Sequence, residues 1–421
     1  MNREKLNSRA TGWLMTIVLL CLTGTAWGKV IYVDDDAPAP GDGTSWTTAY
    51  RYLQDALTDA SMAGGPVEIH VAQGLYRPDQ MRYAPQGTKD TQAVFKLVDG
   101  VSLLGGYAGV GAPDPNERDF QVYETMLSGD LKGNDAEVSN PVLLQDDATR
   151  DENSWQVVLI RNGRTRLEGF TITGGRAGGA YLARFPWDAT NDVIISDCLF
   201  HGNRGSENDM PSGGALTTWL DGVEANVVFR RCSFVGNAGE TGAVRAYDVV
   251  LDQCRFERNY SWGDWGGAAN IGGDSTVSGC VFIENSARRA AGALYVHSPG
   301  SRLARVHRCE FQNNSAGEWG GALVCDGNVD VAECVFVGNR AGLRGGAGGD
   351  WGSGAVRMSH CVLAGNRAGE RGGAWGSYAR SSLVVVGCTA VGNRAPEGLF
   401  LEAVYNTEKN PSRVIIRNCV L

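Results

Sequence analysis

Residues 249–268 read VVLDQCRFERNYSWGDWGGA, and the marks in this stretch recur along the chain: an apolar triplet, a Cys, a Phe two residues later, an Asn five residues after the Cys, and a Gly-Gly-Ala. Apart from Cys21 and Cys325, the cysteines stand at 198, 232, 254, 280, 309, 334, 361, 388 and 419, a mean spacing of about 28 residues. Five residues beyond each of the first eight comes Asn203, Asn237, Asn259, Asn285, Asn314, Asn339, Asn366 and Asn393. Two residues beyond the same eight cysteines come Phe200, Phe234, Phe256, Phe282, Phe311 and Phe336, then Leu363 and Ala390. Gly-Ala recurs at Ala180, Ala215, Ala243, Ala268, Ala293, Ala322, Ala347 and Ala374. Such a period belongs to one supersecondary unit stacked on copies of itself.

The content of the unit selects the architecture. Val249-Val250-Leu251, Val384-Val385-Val386 and Val414-Ile415-Ile416 are short, apolar and bounded by turn residues, so they read as strands. No unit holds ten residues of helical period, which removes helical solenoids. Gly-Gly-Ala-Leu, the apolar triplet and Cys-x-Phe make three short strands per coil. The expected fold is therefore an all-β, right-handed parallel β-helix solenoid with coils about 4.8 Å apart. Cys and Phe share a strand face and point inward, Asn takes left-handed turn angles and bonds to its copies in a ladder, and Gly-Gly lets the coil close at its thin corner. The cysteines read as buried thiols in a common phase, and the chain has no C-x-x-C pair.

The rest of the chain fits around these repeats. Residues 1–28 read as a secretory signal peptide, with Arg3, Lys5 and Arg9 ahead of a short apolar run that ends at Ala26-Trp27-Gly28. Residues 29–65 read as an N-terminal capping segment with an amphipathic helix around Tyr52, Leu53, Ala56 and Leu57. The β-helix then occupies 66–421, regular from about 170. It enters a new rung at Val414–Leu421 and stops there, which reads as truncation. With 58 Gly but only 13 Pro in 421 residues the chain is not collagen, and 43 % hydrophobic residues with 11 Trp exclude a disordered chain. The net charge of -9 becomes -11 once the leader takes away three cations and Glu4. An acidic exported chain is unsuited to nucleic acid, and no stretch after the leader is long and apolar enough to span a membrane.

Phe-x-x-Asn with Gly-Gly-Ala resembles the repeats of chlamydial polymorphic outer membrane proteins. The opening Ile31-Tyr32-Val33-Asp34, Gly43-Thr44-Ser45-Trp46 and Leu53-Gln54-Asp55-Ala56-Leu57, with Gly105-Gly106-Tyr107, is similar to exported β-helix proteins of environmental bacteria, planctomycetes among them. The resemblance implies a pectate-lyase-like fold at the cell surface or outside it, an architecture shared by adhesins and polysaccharide-cleaving enzymes.

Two places offer chemistry. Counting along the Gly-Ala strand puts Ala+1 inward (Tyr181 in the first copy) and Ala+2 and Ala+4 outward. The Ala+4 column reads Arg184, Trp219, Tyr247, Gly272, His297, Asp326, Trp351 and Tyr378. Rings on an outer sheet face suit the apolar faces of sugars, so Trp219, Tyr247, His297, Trp351 and Tyr378 are the candidate ligand-binding residues. Trp265 and Trp319, each just before Gly-Gly, read as corner packing, and Asp350 implies a slip of phase if it is to avoid the interior. The preferred function is a non-catalytic binding or adhesion protein, secreted or in the cell envelope, that contacts an extracellular polysaccharide or another envelope protein. The alternative is a polysaccharide lyase or glycoside hydrolase with Asp326, His297 or Arg245 as catalytic residues. Asp34, Asp35, Asp36 and Asp42 form an acidic, Gly-rich stretch of hard oxygen ligands that could hold Ca²⁺.

Overall fold

The computed structural model describes residues 28–38, 41–137, 139–161, 163–183, 191–206, 212–219, 226–352, 354–378, 382–398, 401–404 and 413–421; the leader read at 1–28 falls almost wholly outside them, as does Arg184. Among these residues the strands form parallel sheets of 13, 11, 11 and 6 strands. One coil runs through Val244–Tyr247, Val249–Asp252, Arg255–Glu257 and Tyr260–Ser261, and returns one rung on at Ala269–Gly272. Its strands pair in register with the next coil, as in Val244 with Ala269, Leu251 with Val277, Phe256 with Phe282 and Tyr260 with Ser286. These are termed here the groove sheet, the valine sheet, the phenylalanine sheet and the short sheet. The short sheet, two residues per strand from Ala238–Gly239 to Arg367–Ala368, is one strand per coil more than the sequence period suggests.

At the amino-terminal end, Lys29–Val33 is already the first strand of the valine sheet, paired with Val67–Ala72. The ladder thus starts inside the segment read as a cap. The helix Leu53–Met62 buries Leu53, Ala56, Leu57 and Ala60 in the same apolar cluster as Ile31 and Val33. Their i, i+3, i+4, i+7 spacing gives the helix one apolar stripe, and that stripe covers the first coil.

Vertical columns hold the interior together. Six Phe rings from Phe200 to Phe336 stack with centroids 4.7–5.0 Å apart and planes within 10° of parallel. From Asn203 to Asn366, each Asn donates its backbone N–H and a side-chain N–H to Oδ1 of the Asn one rung on, at 2.9–3.1 Å. The remaining Nδ2 hydrogen reaches a carbonyl one rung back, such as Phe282 O for Asn314. The polar groups of the turn are therefore satisfied inside the core.

The left-handed angles do not fall on the ladder Asn residues. They fall on the residue before, Arg258, Glu284 and Asn313 among the non-glycines, because the ladder Asn must keep its amide in line with the next rung. A second left-handed column precedes each Cys: Asp197, Arg231, Gln253, Arg308, Glu333, His360 and Asn418. An L-residue pays about 1 kcal/mol or more for this region. Gln253→Gly is accordingly expected to raise the unfolding free energy by about 1 kcal/mol, read from urea melts.

All ten described cysteines are free thiols, nine buried and Cys419 partly so. Cys254 Sγ donates to Phe229 O and Asp252 O, and its neighbours in the column repeat the pattern. Burial pushes the Cys198 thiol up to about 12, and a protonated thiol out of contact with water is a poor nucleophile. A thiol reagent should label no more than Cys419 among these ten in the native protein, and all ten in denaturant.

Candidate functional site

The groove sheet positions the candidate residues. Its register pairs Ala180 with Leu216, Val244, Ala269, Leu294, Leu323, Gly348 and Trp375 in turn. Ala180 itself thus takes the inward place expected of Tyr181, so Tyr181 faces out and Ala183, not Arg184, lies opposite Trp219. From Tyr247 onward the expected outward column holds: Tyr247 pairs with Gly272, Gly272 with His297, His297 with Asp326 and Asp326 with Trp351. Trp219 and Tyr378 end strands of this sheet, and their side chains lie outside the description. No slip of phase occurs at Asp350. It points inward and is buried, with its carboxylate accepting from Trp375 Nε1 at 2.8 Å and Ser377 Oγ at 2.7 Å.

Beside this column runs a second outward one, Arg245, Asn270 and Tyr295 in register on successive strands. The two columns are the floor of a groove of about 500 Å³, formed by Arg245, Tyr247, Asn270, Tyr295 and His297 and walled by Glu240, Trp262, Asp264, Trp265 and Arg288. Gly272 sits in the middle of that floor. A Cβ there would meet the Tyr247 ring at 2.1 Å, so glycine is what lets the phenol lie across the strand toward His297.

The polar chemistry of the groove centres on Asp326. Its Oδ2 accepts from Tyr295 OH at 2.7 Å and lies 3.0 Å from His297 Nδ1. A carboxylate only accepts, so Nδ1 carries the hydrogen and Nε2 is left for the groove that His297 lines. The hydrogen bond it donates to Asp326 holds the His297 imidazolium to a higher pKa than usual, against burial that lowers it. Burial would raise the Asp326 carboxyl, but the hydrogen bonds from His297 and Tyr295 prevail and keep it below its ordinary value. Burial, and then Asp326, push the Tyr295 phenol upward.

Trp265 and Trp319 are not confined to corner packing. Both are half-buried on the outer surface with Trp351, whose ring lies 5.8 Å from Trp265 and 4.7 Å from Trp319. Arg289 spans the two at 5.9 and 4.9 Å from their ring centroids, and ion pairs to Asp264 and Glu318 at 3.2 Å fix it there. Tyr295 packs on Trp265 at 4.8 Å. The groove thus opens beside an aromatic surface that continues to Trp351.

The acidic stretch is elsewhere. Oxygens of Asp34, Asp35 and Asp36 lie within 4.8 Å of one another, and Asp42 is not in that group. Asp34 accepts from the amides of Asp36 at 2.9 Å and Val110 at 2.6 Å, and Asp35 from that of Leu75 at 3.1 Å. Ligand type and spacing fit a hard cation, but one bound at Asp34 would compete with both amides. Asp42 caps its own turn through Thr44, whose hydroxyl and amide lower its carboxyl to about 2.

With these columns and four parallel sheets, the protein is a right-handed parallel β-helix. Residues 157–350 match the family described as right handed beta helix region. No curated protein matches the sequence. Among solved structures, a rhamnogalacturonan lyase aligns over 92 % of this chain and 87 % of its own, at 11 % identity and a TM-score of 0.47. The catalytic unit of a GH87 α-1,3-glucanase from Streptomyces thermodiastaticus aligns over 92 % and 68 %, at 10 % and 0.44. The pectate lyase Pel9A aligns over 94 % and 80 %, at 13 % and 0.34. Identities this low carry no residue of the groove across.

Proposed function

We propose that this protein is a secreted or cell-envelope β-helix that binds an extended glycan along the groove sheet. One observation carries the reading: Tyr247, Trp262, Trp265 and Tyr295 line an open groove together with Arg245 and Asn270. Rings offer flat apolar faces to sugar rings, while the guanidinium and amide offer hydrogen bonds to hydroxyl or carboxylate groups. Among the described residues no helix is long and apolar enough to cross a membrane. The binding face needs nothing from the interior, which suits a scaffold whose core columns are filled.

The test is retention of the protein on immobilised neutral and acidic polysaccharides. The double variant Trp265→Ala, Tyr247→Ala should bind at least about tenfold more weakly, the equivalent of about 1.4 kcal/mol. Retention by no polysaccharide, or retention indifferent to this pair, would leave a contact with another envelope protein in its place. Catalysis in the same groove is the second reading, favoured by the contact between His297 and Asp326.

A further inference from the structure

We propose that a second face of this protein, outside the groove, docks on an anionic lipid surface, with Arg340, Arg367 and Arg394 on the phosphates and Val337, Val362 and Val391 against the apolar boundary beneath them. The face belongs to three successive coils and lies on the phenylalanine and short sheets. Its segments 334–341, 361–368 and 388–395 read CVFVGNRA, CVLAGNRA and CTAVGNRA, with one cation in each and no carboxylate. The coils before them carry acidic or paired polar residues at these places, as in CRFERNYS at 254–261 and CEFQNNSA at 309–316.

An apolar column and a cationic one run side by side there. In the phenylalanine sheet Val335 pairs with Val362, and Val337 with Ala364, which pairs in turn with Val391. Val337, Val362 and Val391 are 41, 37 and 59 % exposed, so an apolar strip lies bare on the outside. In the short sheet Arg340 pairs with Arg367, and Arg367 bridges to Arg394, which sets three cations in a row about 4.8 Å apart. Like charges directly opposite one another repel. Among the described residues none of the three guanidiniums has an ion pair or a hydrogen bond to offset that. Nor does the coil require them, for the same column carries Tyr260, Ser286 and Ser315 on the rungs before. Between the strip and the row stand Gly338, Gly365 and Gly392, where earlier coils have Arg258, Glu284 and Asn313. A Cβ on Gly365 or Gly392 would meet nothing, so the corner from valines to arginines is open.

A bare apolar strip beside an unpaired cationic row complements a surface of phosphates over hydrocarbon. A sugar chain fits it less well, because these segments turn no aromatic ring outward for a sugar to lie on. The protein as a whole is acidic, at -9, but at physiological salt a charge is felt over about 8 Å. In the same coils Glu333, Glu370 and Glu397 are already paired, with Arg308, Arg344 and Arg371. The three arginines of the row therefore keep their charge for a partner.

The experiment is cosedimentation of the protein with vesicles of phosphatidylglycerol in phosphatidylcholine and with vesicles of phosphatidylcholine alone. Binding is expected to the first and not to the second, and to weaken as salt is added. Each arginine replaced by Gln should cost about fivefold in partitioning, the equivalent of about 1 kcal/mol, and the triple variant about a hundredfold. Val337→Ser with Val391→Ser should cost a further few-fold at every salt concentration, since that part is not screened. Circular dichroism melts establish that the variants fold, and retention on polysaccharide by the groove should be unchanged in all of them. No binding to anionic vesicles, equal binding to both kinds, or binding indifferent to the triple variant would overturn the proposal. Loss of polysaccharide retention in the triple variant without vesicle binding would replace the lipid with an acidic glycan, and self-association that the triple variant abolishes would replace it with a second copy of the chain.

Discussion

Asn314→Leu is expected to lose about 4 kcal/mol of stability, a large share of what a domain usually has to spare. The side chain is fully buried and sits at the middle of the ladder. Its removal strands Phe282 O and the backbone and side-chain N–H groups of Asn285, and a leucine of similar size satisfies none of them; Asn339 Oδ1 keeps only the backbone N–H of residue 314. Each orphaned buried group costs about 1–3 kcal/mol. Asn393, the last described member, accepts from Asn366 and donates to Leu363 O but has no rung-on Asn to serve. Asn393→Leu orphans the same three kinds of group, Leu363 O and both N–H groups of Asn366, but at a position 9 % exposed against 0 % for Asn314, so it should cost somewhat less. Chemical denaturation of the two variants checks this, and equal losses would show that solvent at the last described rung does not relieve the orphaned groups.

The second large effect is on the ring stack. Phe282→Ala should cost about 4 kcal/mol, because the hole lies between Phe256 and Phe311, whose strands are fixed by pairing on both sides and cannot close on it. Phe282→Leu should cost less than about 1.5 kcal/mol, since the same column already passes to Leu363 in register with Phe336. Thermal melts give the ranking. A small loss for the alanine variant would mean that the coil relaxes across rungs, contrary to a core of interlocked columns.

These columns were legible in the sequence because each lies in a segment of constant length: the inward residue of the apolar triplet, then Cys three residues later, Phe two beyond and Asn three beyond that. The period survives there, so register can be read by counting. The groove was only half legible. The Ala+4 column could be counted, and it placed Tyr247, His297 and Asp326 correctly, but Asn270 and Tyr295 stand in the Ala+2 column, which was identified as outward and not read as a surface. Trp262, Trp265 and Arg288 come from turns of unequal length, where no count predicts which way a ring will lie. The inward Asp350 could not be anticipated from pattern either, since its acceptability depends on Trp375 and Ser377 arriving from the next coil.

Spacings between successive cysteines range from 22 to 34 residues while the sheets stay in register. The difference is absorbed on either side of the groove sheet, as in the long connection at 299–303 against the single residue Asp248 at the same place two coils earlier. Length in this molecule is thus quantised along the axis and free around it. A gene can gain or lose a whole coil, because the Asn, Cys and Phe that close the gap meet partners identical to those they left, whereas a fraction of a coil would break every column at once. Insertions beside the groove face no such rule. Evolution can therefore reshape the walls of the groove residue by residue while the interior admits change only in whole steps, which separates the part that recognises from the part that endures.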